Sequence, residues 1–345
     1  MSEFAARFER QTRFAPLGLE GQKRLEKSSV LLVGCGALGG SLAQTFVRSG
    51  VGRLVIVDRD VVDVTNLPRQ VLFEERDIGR PKVDAARETL ARIGGPTRVE
   101  THAAHLDSDN LADLAENCDL ILDGTDNLAT RYLINDFSVE RDLPWIYAGV
   151  VGASGLVMPV IPGRGACLRC IFPEPAPPGS LPTCDTAGVL LPAVAAIAAV
   201  QAGVALRLLG ANDRERANLA PQLVEIDVWH LETRQVSAER DPQCPCCGAR
   251  QFVFLWSPSE RSAISLCGRN TVQVRPARPN SPRVDLARIA AGVRDNASNV
   301  RELGSLLAFE AEGCRFTLFP DGRALIEGTH ELDRARTLYD RFIGS

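Results

Sequence analysis

Two Cys-x-x-Cys pairs in this 345-residue chain can each offer two thiolates to a metal ion. The first pair is Cys167 and Cys170, and the second is Cys244 and Cys247. Together they predict a tetrahedral Cys₄ zinc site, which is closed to substrate and therefore structural. Because the intervening stretch 171–243 is long for one zinc ribbon, we expect the metal to join two distant segments. Two unrelated reduced pairs, or a redox dithiol, are the alternatives.

Another cysteine, Cys184, belongs to neither pair and follows the proline-rich stretch 173–179. It precedes a predicted helix start, where the positive end of the helix dipole would lower the pKa of a thiol. Burial as a small apolar side chain is the alternative, so spacing alone leaves a reactive role open. We interpret four further cysteines as structural: Cys35, Cys118, Cys267 and Cys314.

A glycine turn follows the apolar stretch 30–33 and leads into a predicted helix over 41–48. The glycine turn consists of Gly34, Gly36 and Gly39. In such a Gly-x-Gly-x-x-Gly pattern the first glycine permits a tight turn, the second admits a phosphate, and the third lets helix pack on strand. A second apolar strand ends in Asp58, which is placed to accept hydrogen bonds from a ribose. The pattern indicates a nucleotide and leaves open whether it is a redox cofactor or ATP.

Further polar side chains fall in loops that follow the predicted strands. Because the carboxyl ends of parallel strands meet at one edge of a sheet, we expect Asp58, Asp126 and Asn127 to converge on the glycine turn. Lys82 lies in the first turn of a predicted helix over 82–93, where a cation is unfavourable unless an anion offsets it. These positions predict an anionic ligand at this edge.

Composition narrows the class of protein. The net charge of −4 and the pI of about 5.7 provide no basic field for nucleic acid. The first residues lack an apolar stretch typical of an export signal, so we expect a cytoplasmic protein whose cysteines stay reduced. The stretch 188–206 has Gln201 as its one polar side chain and is rich in alanine and glycine. We interpret it as a buried helix rather than a membrane span.

Predicted strands and helices alternate along the first part of the chain. Residues 1–250 therefore predict an α/β fold with a Rossmann-like, mostly parallel sheet flanked by helices. The predicted strands are 30–33, 54–57, 98–102, 120–122, 145–151 and 223–228, and the later helices are 82–93, 108–116 and 129–141. From residue 257 to 345 the pattern changes to a small α+β domain, with a hairpin at Asp321-Gly322. A docking or dimer-supporting role is our default interpretation of that domain.

Several short motifs occur in a fixed order along residues 7–249, together with both cysteine pairs. They are Arg7-Phe8-Glu9-Arg10-Gln11, Gly34–Gly39, Asp58-Arg59-Asp60, Asn66–Gln70, Gly79-Arg80-Pro81-Lys82, Asp123–Asn127 and Cys184–Val189. This ordered series resembles the ubiquitin-activating-enzyme-like adenylyltransferases of the ThiF/MoeB/HesA type, which activate sulfur-carrier proteins.

The resemblance implies roles for individual residues. Asp58 would hold the ATP ribose, Gly36 would lie against the phosphates, and Arg69 and Lys82 would bind the triphosphate. Asp126 would hold Mg²⁺. Three further residues would line the nucleotide site: Asp60, Asn66 and Asn127.

The resemblance also implies partners and a reaction. Arg10 would reach the ATP of a second subunit, which implies a homodimer, and Cys184 would form a covalent link to the activated carrier or take part in sulfur transfer. The implied reaction is adenylation of the C-terminal Gly-Gly carboxylate of a small β-grasp carrier, with release of pyrophosphate. A sulfurtransferase is a further implied partner. The alternatives are activation of a ubiquitin-like protein for conjugation, an NAD-dependent oxidoreductase, and a non-catalytic binding protein.

Two residues depart from the family pattern, which has glycine at Ala37 and glutamine at Pro68. Ala37 adds a methyl group at the pocket. Pro68 lacks an N–H beside Arg69, so the family pattern does not determine the geometry of this loop.

Overall fold

A computed structural model describes residues 6–177, 180, 182, 184–219, 221–256, 263–266, 270–274, 276, 284–303 and 306–344. Cys267 and the boundary stretch 257–262 lie outside these residues. The described elements form two sheets, one of eight strands and one of six strands. This arrangement confirms the predicted α/β class, with a mostly parallel sheet and a second, C-terminal α+β part.

The eight-stranded sheet has the order β3-β2-β1-β4-β5-β6-β7-β8. Its first five strands in this order are parallel, and β6, β7 and β8 are joined by antiparallel pairing. The strands are β1 (Ser29–Val33), β2 (Arg53–Val57), β3 (Arg98–His102), β4 (Leu120–Asp123), β5 (Trp145–Val151), β6 (Ser154–Val160), β7 (Gln222–Asp227) and β8 (Glu232–Ser237).

Helices cover both faces of this sheet. In chain order they are α1 (Glu9–Thr12), α2 (Gly18–Lys27), α3 (Ala37–Ser49), α4 (Lys82–Ile93), α5 (Leu111–Leu114), α6 (Leu128–Arg141), α7 (Leu168–Ile171), α8 (Cys184–Ala187), α9 (Leu191–Gly210), α10 (Asp213–Ala217) and α11 (Val253–Trp256). Successive residues of β1 alternate between the two cores, because strand side chains point to opposite faces. Leu32 packs with Phe46 of α3 and Ile197 of α9, whereas Leu31 packs with Phe137 of α6 on the other face.

Helix α9 contains most of the apolar stretch 188–206, whose composition also resembles that of a membrane span. It is 20 residues long with a mean hydropathy of 1.8, enough by length and composition to cross a membrane, and half of that stretch is buried inside the protein. Its one polar core residue, Gln201, donates from Nε2 to the carbonyl oxygens of Asp123 at 2.9 Å and Ile146 at 3.0 Å. The helix therefore packs as a core helix against the sheet.

The C-terminal sheet is antiparallel, with the order β11-β12-β13-β14-β10-β9. Its strands are β9 (Ala263–Leu266), β10 (Thr271–Val274), β11 (Ser298–Leu303), β12 (Leu306–Ala311), β13 (Cys314–Leu318) and β14 (Ala324–Glu327), and its helices are α12 (Leu286–Val293) and α13 (Leu332–Phe342). The predicted Asp321-Gly322 turn joins β13 to β14, and Gly322 has φ +82°. The Asp-Gly pair predicts this hairpin well because the turn needs a residue with positive φ, which glycine adopts without strain.

Some elements differ from their predicted bounds. The helix predicted over 108–116 is limited to Leu111–Leu114. The Asp107 carboxylate accepts hydrogen bonds from the backbone N–H of Asn110, which forms a local turn before the helix, and Asn117 ends it with φ +57°. Strands β6, β8, β9 and β11 were not predicted. Strand β8 is exposed along its whole length, so it has no apolar face to reveal it.

Candidate functional site

The glycine turn lies between β1 and α3, and two of its glycines are required by backbone contacts. Gly34 has φ +91°, and a Cβ on it would lie 2.7 Å from the Gly124 carbonyl oxygen. A Cβ on Gly39 would lie 1.9 Å from the Gly34 carbonyl oxygen, so any side chain would separate helix from strand. Helix α3 begins after Gly36, and the N–H groups of its first turn lack intrahelical partners. The turn can therefore hold an anion.

Asp58 follows β2, and its carboxylate already holds the glycine turn. Its Oδ2 accepts a hydrogen bond from the Cys35 backbone N–H at 2.6 Å, and its Oδ1 accepts one from the Asp60 N–H at 2.7 Å. Burial raises the pKa of Asp58, and the nearby Lys82 ammonium partly opposes that rise. A carboxylate has about four acceptor positions, so about two remain for ribose hydroxyls.

Lys82 is the first residue of α4 and is almost fully buried. Its Nζ donates to Asp60 Oδ2 at 3.0 Å. Burial by itself lowers the pKa of Lys82, but the carboxylates of Asp60 and Asp58 outweigh it and hold the pKa above its ordinary value. The anion that offsets the unfavourable helix position is therefore supplied, at least in part, by the chain itself.

Asp126 lies in the loop after β4, and its side chain is exposed. Its charge contributes to the raised pKa of Lys82, which places the two groups within electrostatic reach. Within the described part of the chain, Asp126 forms no hydrogen bond or ion pair. A carboxylate of this kind can bind a hard cation.

Asn66 and Gln70 supply two buried polar atoms that the described residues do not satisfy. Asn66 Oδ1 accepts from the Asp63 N–H at 3.1 Å, but Asn66 Nδ2 and Gln70 Oε1 have no partner there. Gln70 Nε2 lies 3.7 Å from the point that a Gly36 Cβ would occupy, so this side chain borders the glycine turn. Buried polar groups are normally paired, so a ligand in the turn would complete them. Asn66 was predicted to line the nucleotide site, whereas Gln70, which occurs in the same loop motif, was not.

Arg69 lies in the same loop and donates from Nη1 to the Thr65 carbonyl oxygen at 2.7 Å. Both Arg69 N–H (3.1 Å) and Gln70 N–H (2.9 Å) bond to the Asn66 carbonyl oxygen, which closes the loop. Pro68 is exposed, and this closure does not use the N–H that it lacks. The hydrogen bonds that close this loop among the described residues therefore need no N–H at position 68.

The loop 123–127 is held from beneath by a buried ion pair that sequence reasoning missed. Arg131 of α6 donates from Nε to Asp123 Oδ2 at 2.8 Å, and its Nη2 donates to the Thr125 carbonyl oxygen at 2.6 Å. Both charged groups are buried. Asn127, predicted to line the nucleotide site, caps α6 by accepting from the Thr130 N–H at 3.3 Å. The feature of the sequence that could have predicted this ion pair was an arginine on the buried face of a predicted helix.

The four predicted metal ligands meet in space. The sulfur atoms of Cys167, Cys170, Cys244 and Cys247 all lie within 4.8 Å of one another. Cys167 and Cys244 are 3.6 Å apart, and Cys170 and Cys247 are 3.4 Å apart. A tetrahedral zinc with bonds of about 2.3 Å requires sulfur separations of about 3.8 Å, so the cluster fits zinc. With four thiolates no coordination position would be left for substrate.

Groups around the cluster hold its sulfurs in place. The Asp241 N–H donates to Cys170 Sγ at 3.4 Å, and a Cβ on Gly248 would lie 2.6 Å from the Cys244 carbonyl oxygen. Burial raises the pKa of Cys170 to about 11, so a cation is needed for it to be a thiolate at neutral pH. Cys246, between the two ligands of the second pair, is instead fully buried and accepts from Asn135 Nδ2 at 3.3 Å.

Cys184 lies apart from this cluster, at the start of α8. Its Sγ donates to the Val150 carbonyl oxygen at 3.1 Å, near the end of β5, and the side chain is half-buried. Strand β5 is two positions from β1 in the sheet, or about 10 Å. Cys184 therefore lies on the same edge of the sheet as the glycine turn.

Arg10 lies far from the glycine turn of its own chain. It is exposed on α1, where the neighbouring Gln11 donates to the Ser49 carbonyl oxygen at 3.0 Å. Ser49 ends α3, and the glycine turn begins the same helix, about 20 Å away at 1.5 Å per residue. Among the described residues Arg10 forms no hydrogen bond or ion pair.

Comparisons with known proteins agree with these features. Residues 8–246 match the model of the ThiF family. The chain is 37% identical over 342 residues to the sulfur carrier protein ThiS adenylyltransferase of Bacillus subtilis, covering 98% of this chain and 99% of that protein. It is 35% identical over 242 residues to the SAMP-activating enzyme E1 of Haloferax volcanii, covering 70% of this chain and 88% of that protein.

A solved structure shares the fold. The crystal structure of E. coli MccB matches 72% of this chain and 74% of its own, with a TM-score of 0.61 at 23% identity. The family match spans more than half of this chain, and the Bacillus subtilis relative is matched almost from end to end. The chain therefore belongs to the ThiF family.

Proposed function

We propose that this protein is a nucleotidyltransferase that uses ATP to adenylate the C-terminal Gly-Gly carboxylate of a small ubiquitin-like sulfur carrier. The observation that carries this proposal is the buried Lys82, paired with Asp60 beside the Asp58 carboxylate that holds the glycine turn. The name of the Bacillus subtilis relative supports a sulfur carrier as the substrate. A nicotinamide oxidoreductase would share the glycine turn and Asp58, but it would not explain why Arg69, Lys82, Asp126 and a four-cysteine cluster occur together.

The reaction needs positioning and charge stabilisation rather than covalent catalysis by the protein. A carboxylate oxygen of the carrier attacks the α-phosphorus of ATP, the bond to the bridging oxygen breaks, and pyrophosphate leaves. Arg69 and Lys82 would stabilise the negative charge that develops on the phosphoryl oxygens. Asp58 would orient the ribose through its remaining acceptor positions, and Asn66 and Gln70 would bond the nucleotide with their unpaired atoms. Holding both reactants in line supplies much of the rate enhancement.

Mg²⁺, a cytoplasmic location and a sulfurtransferase partner belong to the same proposal. Asp126 supplies an exposed carboxylate that would hold Mg²⁺ and offset triphosphate charge. The acidic composition and the reduced cysteines support a cytoplasmic protein.

ATP–pyrophosphate exchange tests this function directly. Each candidate carrier ending in Gly-Gly is incubated with the protein, ATP and labelled pyrophosphate, and the matched control is the same carrier without its last two residues. We expect exchange with at least one intact carrier and none with its truncated form. Reduction of NAD by a small substrate, with no exchange for any carrier, would contradict the proposal.

A second candidate function is activation of a ubiquitin-like protein for conjugation. The match to a SAMP-activating enzyme E1 favours it. The first step is the same adenylation, so the fate of the carrier distinguishes the two. Mass spectrometry would show exchange of oxygen for sulfur at the carrier terminus in one case and isopeptide bonds to lysine side chains in the other.

Cys184 is proposed to form the covalent link to the activated carrier. Its Sγ would attack the carbonyl carbon of the acyl adenylate, AMP would leave from that carbon, and the thiol proton would pass to solvent. We expect Cys184→Ala to lose a thiol-sensitive adduct on non-reducing gels while ATP–pyrophosphate exchange stays within about threefold of wild type. Cys118→Ala, which removes another half-buried thiol, is the control. An undiminished adduct in Cys184→Ala would refute this role.

A homodimer is proposed because Arg10 is about a helix length from its own glycine turn. In this arrangement one chain supplies Arg10 to the ATP site of the other. Arg10→Ala and Lys82→Met would each be inactive alone, yet a mixed dimer would contain one intact site. After random mixing we expect recovery of about a quarter of wild-type exchange activity. No recovery, from mixtures shown by mass to contain mixed dimers, would contradict it.

A further inference from the structure

Arg323 is a buried cation at the contact between the two sheets. It follows the turn that joins β13 to β14, and its side chain is 2% exposed. Its guanidinium lies over the Phe319 ring, 3.6 Å from the ring centroid, and Asp321 Oδ2 is 3.7 Å from its Nε. Removing an arginine from water is costly, so a buried one needs specific partners.

The hydrogen-bond partner of Arg323 across this contact is a backbone carbonyl in the loop that follows β2. Arg323 Nη1 donates to the Arg59 carbonyl oxygen at 2.9 Å, across 264 positions of sequence. The surrounding contact is apolar: Val61 and Ala103 pack with residues of the C-terminal part of the chain, which are Leu303, Leu306, Phe319 and Leu325. The C-terminal sheet therefore reaches the segment between the two carboxylates of the nucleotide site, Asp58 and Asp60.

A single peptide unit connects Arg323 to the Asp58 carboxylate through two hydrogen bonds. The carbonyl of this unit belongs to Arg59 and its N–H belongs to Asp60. The carbonyl oxygen accepts from Arg323, and the N–H donates to Asp58 Oδ1 at 2.7 Å. Hydrogen bonds in a chain polarise one another, so a cationic donor at the oxygen strengthens donation at the nitrogen. Arg323 is thus placed to hold this peptide in position and to strengthen its bond to Asp58.

We propose that Arg323 is a positioning residue for nucleotide binding, and that it makes the C-terminal sheet part of the ATP site. It acts through the Arg59–Asp60 peptide on the Asp58 carboxylate and does not itself contact the nucleotide. This inference rests on the proposed use of ATP. It assigns a role to the C-terminal sheet that neither sequence motifs nor the family model, which ends at residue 246, supplies.

Two variants separate this role from simple packing. Arg323→Met removes the donor and keeps an unbranched side chain of similar length, and the Asp321 carboxylate that it leaves behind is 44% exposed, so water can solvate it. Leu325→Ala is the matched control, because it removes packing from the same contact but keeps the hydrogen bond. Arg323→Lys keeps one charged donor. Thermal unfolding of all three variants reports the loss of packing.

Calorimetric binding of ATP, 2′-deoxy-ATP and 3′-deoxy-ATP reports the proposed role. We expect Arg323→Met to bind ATP about tenfold more weakly than wild type, the loss typical of one hydrogen bond to a charged group. It should also discriminate less between ATP and the deoxynucleotides, because the affected carboxylate acts on the ribose. Arg323→Lys should fall between wild type and Arg323→Met, and Leu325→Ala should melt earlier with unchanged affinity and discrimination.

Three outcomes would overturn the inference. Wild-type affinity and discrimination in Arg323→Met would show that the bond has no role in binding. An equal loss of ATP affinity in Leu325→Ala, in proportion to its loss of stability, would show that Arg323 acts only by packing. If the wild-type protein binds no ATP, the proposed function is wrong as well. The first two outcomes, in contrast, concern Arg323 alone.

Discussion

Replacing Lys82 by methionine should lower ATP–pyrophosphate exchange by about 10²–10³-fold, the loss typical of removing one preorganised charge stabiliser. The effect is large because Lys82 is a buried cation paired with Asp60 and close to Asp58, where charge interactions are weakly screened. Without it, two carboxylates would face the triphosphate with no ammonium between them. Steady-state exchange kinetics with saturating carrier measure the change.

A matched control lies on the same helix. Arg87 is also on α4 but its side chain is 57% exposed, so Arg87→Ala removes one positive charge away from the site. We expect its exchange rate to match wild type. Circular dichroism and thermal unfolding establish that Lys82→Met is folded, and Lys82→Arg, which keeps the charge, should retain part of the activity. A folded Lys82→Met protein with exchange close to wild type would contradict the assignment of Lys82.

The same pairing has a pH dependence with a defined sign. The pKa of Lys82 is held above its ordinary 10.5 by the neighbouring carboxylates. The charged pair therefore stabilises the folded state below pH 10.5 for as long as its carboxylates are ionised, and its contribution is lost as the pH rises through the higher folded-state value. Lys82 consequently stays charged near neutral pH, where exchange would be assayed.

Among the changes considered, loss of one residue of the four-cysteine cluster should lower the stability of the fold most. The cluster joins chain segments separated by residues 171–243, and closing a loop of that length stabilises a fold by about 4 kcal/mol. We expect Cys247→Ser to lose bound zinc and to melt about 10 °C below wild type. Metal analysis by mass spectrometry and calorimetry measure the two effects, and wild-type protein should contain one zinc per chain.

Cys246→Ala provides the control for this prediction. Cys246 lies between two ligands in the sequence but outside the group of four, and it is fully buried. The Cys246→Ala protein should therefore keep one zinc per chain and lose less stability than Cys247→Ser. Because the cluster leaves no open coordination position, exchange activity of the Cys247→Ser protein should fall only with its folded fraction. Wild-type protein without zinc, or Cys247→Ser with full zinc, would refute the site.

Local patterns in the sequence were sufficient for much of the nucleotide-binding sheet. The glycine turn, the apolar strand before it and the alternation of strands and helices depend on neighbouring residues, so they are visible without tertiary information. The Asp321-Gly322 hairpin was predicted for the same reason. Strand β8 was missed because it is exposed along its length and therefore has no buried face to leave a periodic pattern.

The spacing of the cysteines predicted which residues meet, but not the groups that support them. Asn135, whose Nδ2 donates to Cys246, lies 111 positions away in the sequence, and no local pattern connects them. The buried pair of Arg131 and Asp123 was missed on similar grounds, because a charged residue on a helix is normally interpreted as exposed. The packing of α6 against the sheet decides both contacts.

Residue type and short spacing are enough to identify the glycine turn, the four cysteines and the polar residues available to the site. Three features depend instead on the tertiary fold: Asp60 pairs with Lys82, Arg10 lies a helix length from its own glycine turn, and Arg323 bonds to the Arg59 carbonyl. They could not be predicted because they involve elements far apart in the chain. Their geometry follows from the packing of both sheets and is recorded in no single segment.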